Sequence, residues 1–203
     1  VLHAHLPYVR HPEYRDVLEE RWLFEAITET YIPLLRVYEG LVRDGIEFRV
    51  TMSLTPPLLS MLSDPLLVSR YEHHLEKLVE LAGKEVVRTR FEPDMQRVAL
   101  MYRELFGDTL RRFREDYRRG LVSAFRKFSA LGVLEIITCG ATHGFFPFLA
   151  VEPRAVEAQI KVAAALHKEL LGRGPAGIWL PECGYAPGCE KALSVKTLPS
   201  HSK

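Results

Sequence analysis

A glutamate at the end of a short apolar segment has the clearest capacity for chemistry in this sequence. Glu182 follows Gly177–Leu180 and Pro181, whose ring fixes φ and removes a backbone donor. Trp179 lies just before it and Tyr185 just after it. Aromatic rings beside a carboxylate suit a site that binds and cleaves sugars. Position alone leaves a second interpretation open, in which Glu182 caps a loop or pairs with an arginine.

Three histidines are further candidates. His3 and His5 lie two residues apart in an apolar segment, so a strand would place both imidazoles on one face. Such a pair can hydrogen-bond a sugar or carboxylate, bind a metal, or serve the structure alone. A catalytic zinc would need a third ligand such as His143, and no HExxH element or cysteine cluster supports one. The small residues Gly140 and Ala141 before His143 permit a ligand to approach, although a turn histidine bound to a carbonyl is equally compatible.

Other reactive side chains have simpler interpretations. Trp22 stands at the start of a predicted helix, where it could project into a cleft or belong to the core. Cys183 has no Cys/His partner of recognisable local form, and we interpret it as a buried thiol. The sequence contains no GxGxxG, Walker A or GxSxG element.

Composition predicts an ordinary globular protein. The 203 residues are 47% hydrophobic and 26% charged, enough for one domain, or the larger part of one, with its own core. The net charge of +1 favours neither nucleic acid nor a membrane surface as a partner. No apolar run approaches the roughly 18–20 residues of a membrane span. Three cysteines without a CxxC pair favour reduced thiols and a cytoplasmic location.

Four short and largely apolar segments predict strands. They are Val1–Leu6, Glu47–Leu54, Leu134–Cys139 and Gly177–Leu180. A helical pattern begins near Glu19, where we expect Pro33 to cause a kink or break and Gly45 to end the helix. The ten residues 194–203 lose all periodicity, and we expect a disordered or non-native tail there, with a surface loop as the alternative.

A long helical insertion is predicted over about 64–130, between the second and third strands. Its first helix starts at Asp64–Pro65 and is expected to run to about Ala82. Breaks are predicted near Pro93, Gly107 and Gly120. A last clear helix is predicted to start at Glu152–Pro153 and to end before Gly172.

The alternation of strands and helices predicts an α/β fold with a parallel sheet or barrel. Active sites in parallel α/β barrels are built at the carboxyl ends of the strands. Four separate segments lie at or just past such ends: His3 and His5, the Thr51–Thr55 stretch, Cys139 with His143, and Glu182. We therefore expect these segments to converge.

Three of these segments resemble the conserved regions of a known family. His3–Pro7 (HAHLP) is similar to the first conserved region of glycoside hydrolase family 57. Glu135–Gly144 (EIITCGATHG) is similar to the second, in the form found in the branching enzymes of that family, and Trp179–Tyr185 (WLPECGY) to the third. The three motifs occur in the family order, and the resemblance covers residues 1 to about 193.

The resemblance implies the N-terminal part of a truncated catalytic domain, an incomplete (β/α)7 barrel that includes residues 1–193. It also implies a retaining α-glucan transglycosylase in which Glu182 forms a glycosyl-enzyme, with a second carboxyl group roughly 5–5.5 Å away. A branching enzyme then exchanges an α-1,4 link for an α-1,6 link in amylose or a glycogen-like glucan. No metal or cofactor is required. The substrate-binding residues that it implies are His3, His5, Trp22, His143, Trp179 and Tyr185.

One departure from the family pattern limits the expected activity. The acid/base aspartate of the family belongs to a fourth region that this sequence does not reach, so we expect these 203 residues to have little or no activity. Protonation of the leaving group contributes about 10²–10⁴-fold. Alternatives are an α-amylase or 4-α-glucanotransferase of the same family, a metal-dependent carbohydrate deacetylase with His3 and His5 as ligands, and a non-catalytic glucan-binding protein.

Overall fold

The computed structural model describes residues 1–14 and 16–193. The predicted tail at 194–203 lies outside the described residues. The chain forms two compact units. The sheet unit contains Val1–Tyr8, Glu47–Met61 and the described residues from Phe125 onward. The helical unit contains the described residues of Val9–Ile46 and Leu62–Ala124.

Helices make up most of the described chain. The α-helices are α1 (Leu18–Ala26), α2 (Ile32–Arg43), α3 (Pro56–Ser63), α4 (Pro65–Arg88), α5 (Pro93–Arg111), α6 (Leu121–Ala130), α7 (Phe146–Leu149), α8 (Pro153–Leu171) and α9 (Cys189–Leu193). Single π-helical turns occupy Ile27–Tyr31 and Arg112–Asp116, and a 3₁₀ turn occupies Pro181–Cys183. Among the described residues, no helix is both long and apolar enough to cross a membrane.

The sheet is parallel, as the sequence predicts. Its strands are β1 (Leu2–Ala4), β2 (Val50–Leu54) and β3 (Leu134–Ile137), in the order β1-β2-β3. All three are shorter than predicted. In the register of the sheet, His3 lies opposite Ser53. This register decides which side chains meet at the carboxyl end.

The predicted fourth strand is wrong, because Gly177–Leu180 forms only one parallel bridge, between Ile178 and Thr138. A histidine on α8 explains the short pairing. His167 is buried, and its Nε2 lies 3.3 Å from the carbonyl oxygen of Ile136, on β3. The His167 side chain therefore hydrogen-bonds to the carbonyl of Ile136, with which a continuous fourth strand would have paired.

Helix boundaries largely follow the local chemistry of the sequence. Asp64 precedes α4, and its Oδ1 accepts hydrogen bonds from the first free backbone N–H groups, at 2.9 and 3.1 Å. Glu152 precedes α8, and Gly172 ends it in the left-handed conformation, with φ of 80°. Both predicted starts are confirmed. The predicted end of the first insertion helix near Ala82 is wrong, since α4 continues to Arg88.

The predicted break near Pro33 is a π-helical turn. The N–H of Ile32 donates to the carbonyl of Ile27, five residues back, and Pro33 takes the second position of α2. Proline lacks an N–H and clashes with the preceding turn of a helix, so a wider turn just before it relieves both problems. Gly45, with φ of 67°, follows α2 and ends the helical region as predicted.

Glycine and proline act differently within the helical insertion. Pro93 begins α5 and Gly120 precedes α6, which confirms two of the predicted breaks. Gly107 lies inside α5 without a break, so that prediction is wrong. A glycine in a helix costs only about 1 kcal/mol. The neighbouring Asp108 accepts a hydrogen bond from Arg111 at 2.9 Å, one turn later, which supports the helix across that position.

Each unit has its own buried residues. In the helical unit, the Tyr71 ring packs edge-on against Phe113, with 4.7 Å between centroids. In the sheet unit, β-strand side chains such as Met52 and Ile136 are buried. A second cluster there contains Phe146, Val156, Ile160 and Cys189. Burial of one such large side chain contributes about 1.5–3 kcal/mol, and this cluster fixes α8 beneath the loop that follows β3.

Candidate active site

Two hydroxyl groups on and just after β2 orient the histidines on and just after β1. The Nδ1 of His3 hydrogen-bonds to the Oγ of Ser53, its register partner. The Nδ1 of His5 lies 3.1 Å from the Oγ1 of Thr55. Ser53 and Thr55 are completely buried. Sequence analysis did not single out these two residues, although their two-residue spacing matches that of the histidines and places their side chains on one face.

The loop after β3 adds a third imidazole. His143 has φ of 57°, and its N–H donates to the carbonyl oxygen of Gly140 at 3.0 Å. Its side chain is only 8% exposed. The ring stacks on His5, with 3.5 Å between centroids and 8° between planes, and lies 5.6 Å from His3. The structure therefore brings the three predicted histidines together.

Glu182 reaches the same group of side chains from a tight turn. One carboxylate oxygen lies 3.8 Å from the Nδ1 of His143, and the Glu182 side chain is 74% exposed. Both Glu182 and Cys183 have left-handed backbones, with φ of 53° and 55°. For residues other than glycine this conformation costs roughly 1–2 kcal/mol each. The N–H of Cys183 donates to the carbonyl of Leu180 at 2.9 Å and helps to hold the turn.

Trp179 completes the cluster. Its N–H donates to the carbonyl of Thr138 at 2.8 Å, next to the single parallel bridge beyond β3. Its ring lies 5.0 Å from the His3 ring, with 23° between the planes. Three imidazoles, one indole and one exposed carboxylate therefore meet at the carboxyl end of the sheet. We define these five residues, His3, His5, His143, Trp179 and Glu182, as the imidazole cluster.

Burial keeps the imidazoles of this cluster neutral. Desolvation, followed by the proximity of His143 and His3, lowers the pKa of His5 to about 4. Desolvation likewise lowers the pKa of His3 and of His143, while the negative charge of Glu182 partly opposes both shifts. At neutral pH each imidazole therefore has one N–H donor and one acceptor nitrogen. Neutral rings of this kind suit hydrogen bonds to hydroxyl groups.

One nitrogen of His143 lacks a hydrogen-bond partner within the described part of the chain. Its Nε2 is buried and makes no hydrogen bond to any of the residues that the structure describes. An unsatisfied buried polar atom of this kind costs about 1–3 kcal/mol. The surrounding contacts, among them the ring stack on His5, therefore hold His143 in place against this cost.

Two predicted substrate-binding residues lie outside the imidazole cluster. Tyr185 is 60% exposed, and its hydroxyl donates to a carboxylate oxygen of Glu190 at 3.1 Å. Trp22 belongs to the helical unit, where it lies on α1 with 47% of its surface exposed. Their predicted contacts with substrate stay predictions.

The cysteines near the cluster differ in exposure. Cys183 is exposed, so its interpretation as a buried thiol is wrong. Its left-handed backbone, in the same turn as Glu182, keeps the residue at the surface. Cys139 is fully buried, and burial raises the pKa of its thiol to about 11. The Cys139 thiol is therefore protonated at neutral pH and is a weak nucleophile.

The imidazoles do not form a metal site in this arrangement. Within the ranges 1–14 and 16–193, no three or more His, Cys, Asp or Glu residues are grouped so that they could hold a metal ion. The His5 and His143 rings are nearly parallel. Their in-plane lone pairs therefore point along similar directions instead of converging on one point, as tetrahedral coordination requires.

Comparison with known proteins identifies the class to which this fold and site belong. The model of glycosyl hydrolase family 57 matches residues 1–196. The chain belongs to this family, and the predicted resemblance is confirmed.

The similar proteins include one that is named an α-amylase and others that are named branching enzymes. A crystal structure of the α-amylase AmyC from Thermotoga maritima matches 97% of this chain, with a TM-score of 0.90 and 51% identity. A branching enzyme of the family from Pyrococcus horikoshii matches 92% of it, with a TM-score of 0.84 and 33% identity. The 1,4-α-glucan branching enzyme TK1436 of Thermococcus kodakarensis is 34% identical over 95% of the chain.

These relatives are much longer than this chain. The chain spans 28% of the Thermococcus sequence, 37% of the Thermotoga chain and 34% of the Pyrococcus chain. The mixed α/β fold with its parallel sheet thus corresponds to one part of each relative.

Proposed function

We propose that this protein acts on α-glucans by retaining transglycosylation, with Glu182 as the nucleophile, and that it forms α-1,6 branches. The observation that carries the proposal is the setting of Glu182. Its exposed carboxylate stands on a left-handed turn, 3.8 Å from the buried His143. This setting supports a group that reacts with a ligand, because strained left-handed backbones at residues other than glycine cluster at active and ligand-binding sites.

The proposed reaction has two displacements. In the first, a Glu182 oxygen attacks the anomeric carbon, and the bond to the glycosidic oxygen breaks as a second carboxylic acid protonates that oxygen. In the second, the 6-hydroxyl of an acceptor glucan attacks the same carbon. Its proton passes to the second carboxylate, and Glu182 leaves as the free carboxylate. Two inversions at one carbon retain its configuration.

The neighbouring side chains would bind the donor sugar. His3, His5 and His143 are neutral at neutral pH and would hydrogen-bond its hydroxyl groups. Trp179 and Tyr185 would stack on sugar rings, and Trp22, in the helical unit, stays a predicted stacking residue. The mechanism needs no metal or cofactor.

We also propose the finer architecture. The parallel sheet would be part of an incomplete (β/α)7 barrel formed by residues 1–193, with a helical insertion at about 64–130. The order β1-β2-β3 and the TM-scores of 0.84 and 0.90 with family structures support it. A cytoplasmic location stays a prediction from the cysteine pattern.

Glycosyl fluorides test the nucleophile directly. Fluoride leaves without protonation, so α-maltosyl fluoride needs Glu182 but no general acid for the first displacement. We expect mass spectrometry to find a maltosyl ester on the peptide that contains Glu182. The ester should be absent in Glu182→Gln and retained in Glu190→Gln, a nearby exposed carboxylate. An ester on another residue, or one that persists in Glu182→Gln, would refute the assignment.

Hydrolysis is the second candidate function, favoured by the 51% identity with a protein named an α-amylase. Linkage analysis of the products formed from α-maltosyl fluoride with amylose as the acceptor separates the two, because the fluoride needs no general acid. A branching enzyme yields chains that an α-1,6-specific debranching enzyme shortens, with few new reducing ends. New reducing ends without α-1,6 links would instead establish hydrolysis.

A further inference from the structure

A glutamine on α8 binds the loop that carries His143. The side chain of Gln159 makes two hydrogen bonds to Thr142: its Oε1 accepts from the backbone N–H and its Nε2 donates to the Oγ1, both at 2.8 Å. The backbone carbonyl of Gln159 accepts from the N–H of Ala141 at 3.1 Å. Three hydrogen bonds from one residue therefore hold the two positions that precede His143.

Two glycines allow this close approach. A Cβ atom on Gly140 would lie 3.2 Å from the Oε1 of Gln159 and 3.2 Å from the Cγ of Pro181. A Cβ atom on Gly144 would lie 2.8 Å from a methyl group of Leu149. The His143 turn is therefore packed between α8 on one side and the residue before Glu182 on the other.

The His143 turn needs external support, because its backbone is left-handed. One local hydrogen bond, from the His143 N–H to the Gly140 carbonyl, closes the turn. The φ of 57° at His143 is unfavourable for a residue with a side chain. Such a conformation persists only where surrounding contacts over-determine it, and the bonds of Gln159 to Thr142 and Ala141 are contacts of that kind.

We propose that Gln159 is a positioning residue for the reaction at Glu182. It fixes the His143 turn so that Nδ1 of the imidazole faces Glu182. The inference rests on the proposed function for its kinetic consequence. Its structural consequence, a displaced His143 when Gln159 is lost, holds for this chain whatever its reaction.

Four variants isolate this role. Gln159→Leu removes both side-chain bonds to Thr142, whereas Gln159→Glu keeps an acceptor for the backbone N–H and for the Thr142 hydroxyl. Thr142→Val removes only the bond to Nε2 and provides a milder test if Gln159→Leu folds poorly. Gln96→Leu is the matched control, since Gln96 also lies on a helix and donates to a backbone carbonyl, that of Val86, at 3.0 Å in the helical unit.

The first readout is the rate of ester formation on Glu182 from α-maltosyl fluoride. We expect Gln159→Leu to lower the maximal rate constant by about 10- to 100-fold while the half-saturating concentration changes by less than about threefold. Gln159→Glu should recover to within about threefold of the wild-type rate, and Gln96→Leu should not change it. A rate constant for Gln159→Leu equal to that of Gln96→Leu would overturn the proposal.

The second readout is the NMR titration of the His143 imidazole, which does not depend on turnover. Release of the turn exposes the ring to water, so its pKa should rise toward 6.5 in Gln159→Leu and, to a smaller extent, in Thr142→Val. If the wild type forms no ester but this shift occurs, the positioning role stands and the proposed function fails. An unshifted His143 in both variants overturns the positioning role, even if the wild type forms the ester.

Discussion

Carboxylates in the two units have opposite surroundings. Glu72, in the helical unit, accepts hydrogen bonds from Arg114 and Arg119, and its side chain is 16% exposed. Glu182, in the sheet unit, is 74% exposed, and one of its carboxylate oxygens lies 3.8 Å from the Nδ1 of the neutral His143. A carboxylate whose lone pairs are taken by guanidinium groups stabilises a fold, whereas one that faces a neutral imidazole keeps its lone pairs for a ligand. Environment, and not residue type, separates the two roles.

The largest expected effect comes from Glu182→Gln. We expect the rate of ester formation from α-maltosyl fluoride to fall by about 10⁴-fold or more, because the nucleophile is lost. The free energy of unfolding should change by less than about 0.5 kcal/mol, because the side chain is mostly exposed and lies 3.8 Å from a neutral imidazole. Urea unfolding and kinetics of the same preparation test both parts. A large loss of stability would show that Glu182 has the structural role instead.

Glu72→Gln should give the reverse pattern. Hydrogen bonds from Arg119 and Arg114 lower the pKa of Glu72 to about 2. Because solvent screens the partly exposed arginines, we expect Glu72→Gln to lower the free energy of unfolding by only about 1–2 kcal/mol. The rate of ester formation on Glu182 should stay within about twofold of wild type, as the helical unit keeps its fold. Lys84, exposed and paired only within its own helix with Glu80, supplies a control variant, Lys84→Gln, that should change neither quantity.

Acid should weaken the two units in separate pH windows. His5 has a folded pKa of about 4 against an ordinary value of 6.5, so the unfolded chain binds the proton first. Its contribution to stability is complete above about pH 6.5 and is lost as pH falls toward 4. Glu72 has a folded pKa lowered from 4.5 to about 2, so its contribution is complete above 4.5 and is lost as pH falls toward 2.

Urea unfolding over a pH series would resolve these windows. We expect about 1–2 kcal/mol to be lost in the upper window, with His5→Asn flattening that part of the curve and Glu72→Gln flattening the lower part. If both variants alter the same window, the assignment of the two titrations to separate units is wrong.

The smallest expected effects come from the helix N-caps of the two units. Asp64 accepts from two backbone N–H groups and pairs with Arg10 at 2.6 Å, while Glu152 accepts from one N–H, that of Arg154, at 3.2 Å. Asp64→Ala should cost about 1 kcal/mol, and Glu152→Ala only a few tenths. Thermal unfolding of both, with Asp64→Asn as a variant that keeps the cap, would measure the difference. Equal losses would contradict it.

Spacing in the sequence predicted what short-range geometry controls. The two-residue interval of His3 and His5 implied a shared face, and Asp64 and Glu152 marked helix starts. The gathering of His143 and Glu182 with the two histidines followed from strand ends in a parallel sheet. What each of these side chains does for a substrate is still a prediction.

Long-range pairing explains what the sequence did not reveal. Ser53 became a partner of His3 only through the register of β1 and β2, which no local pattern specifies. The fourth strand was reduced to one bridge by His167, which contacts a β3 carbonyl from a helix. Cys183 is exposed on a turn with a left-handed backbone, a conformation that its residue type does not predict.

That turn also limits how the protein can vary over evolution. At position 183 the backbone has φ of 55°, which β-branched side chains and proline cannot adopt without a large penalty. We therefore expect substitutions at position 183 to be limited to glycine, asparagine, aspartate and small unbranched residues. A glycine would relieve the backbone strain at position 183 but would hold the Glu182 carboxylate less firmly. Substitution there therefore trades the stability of the fold against the orientation of Glu182.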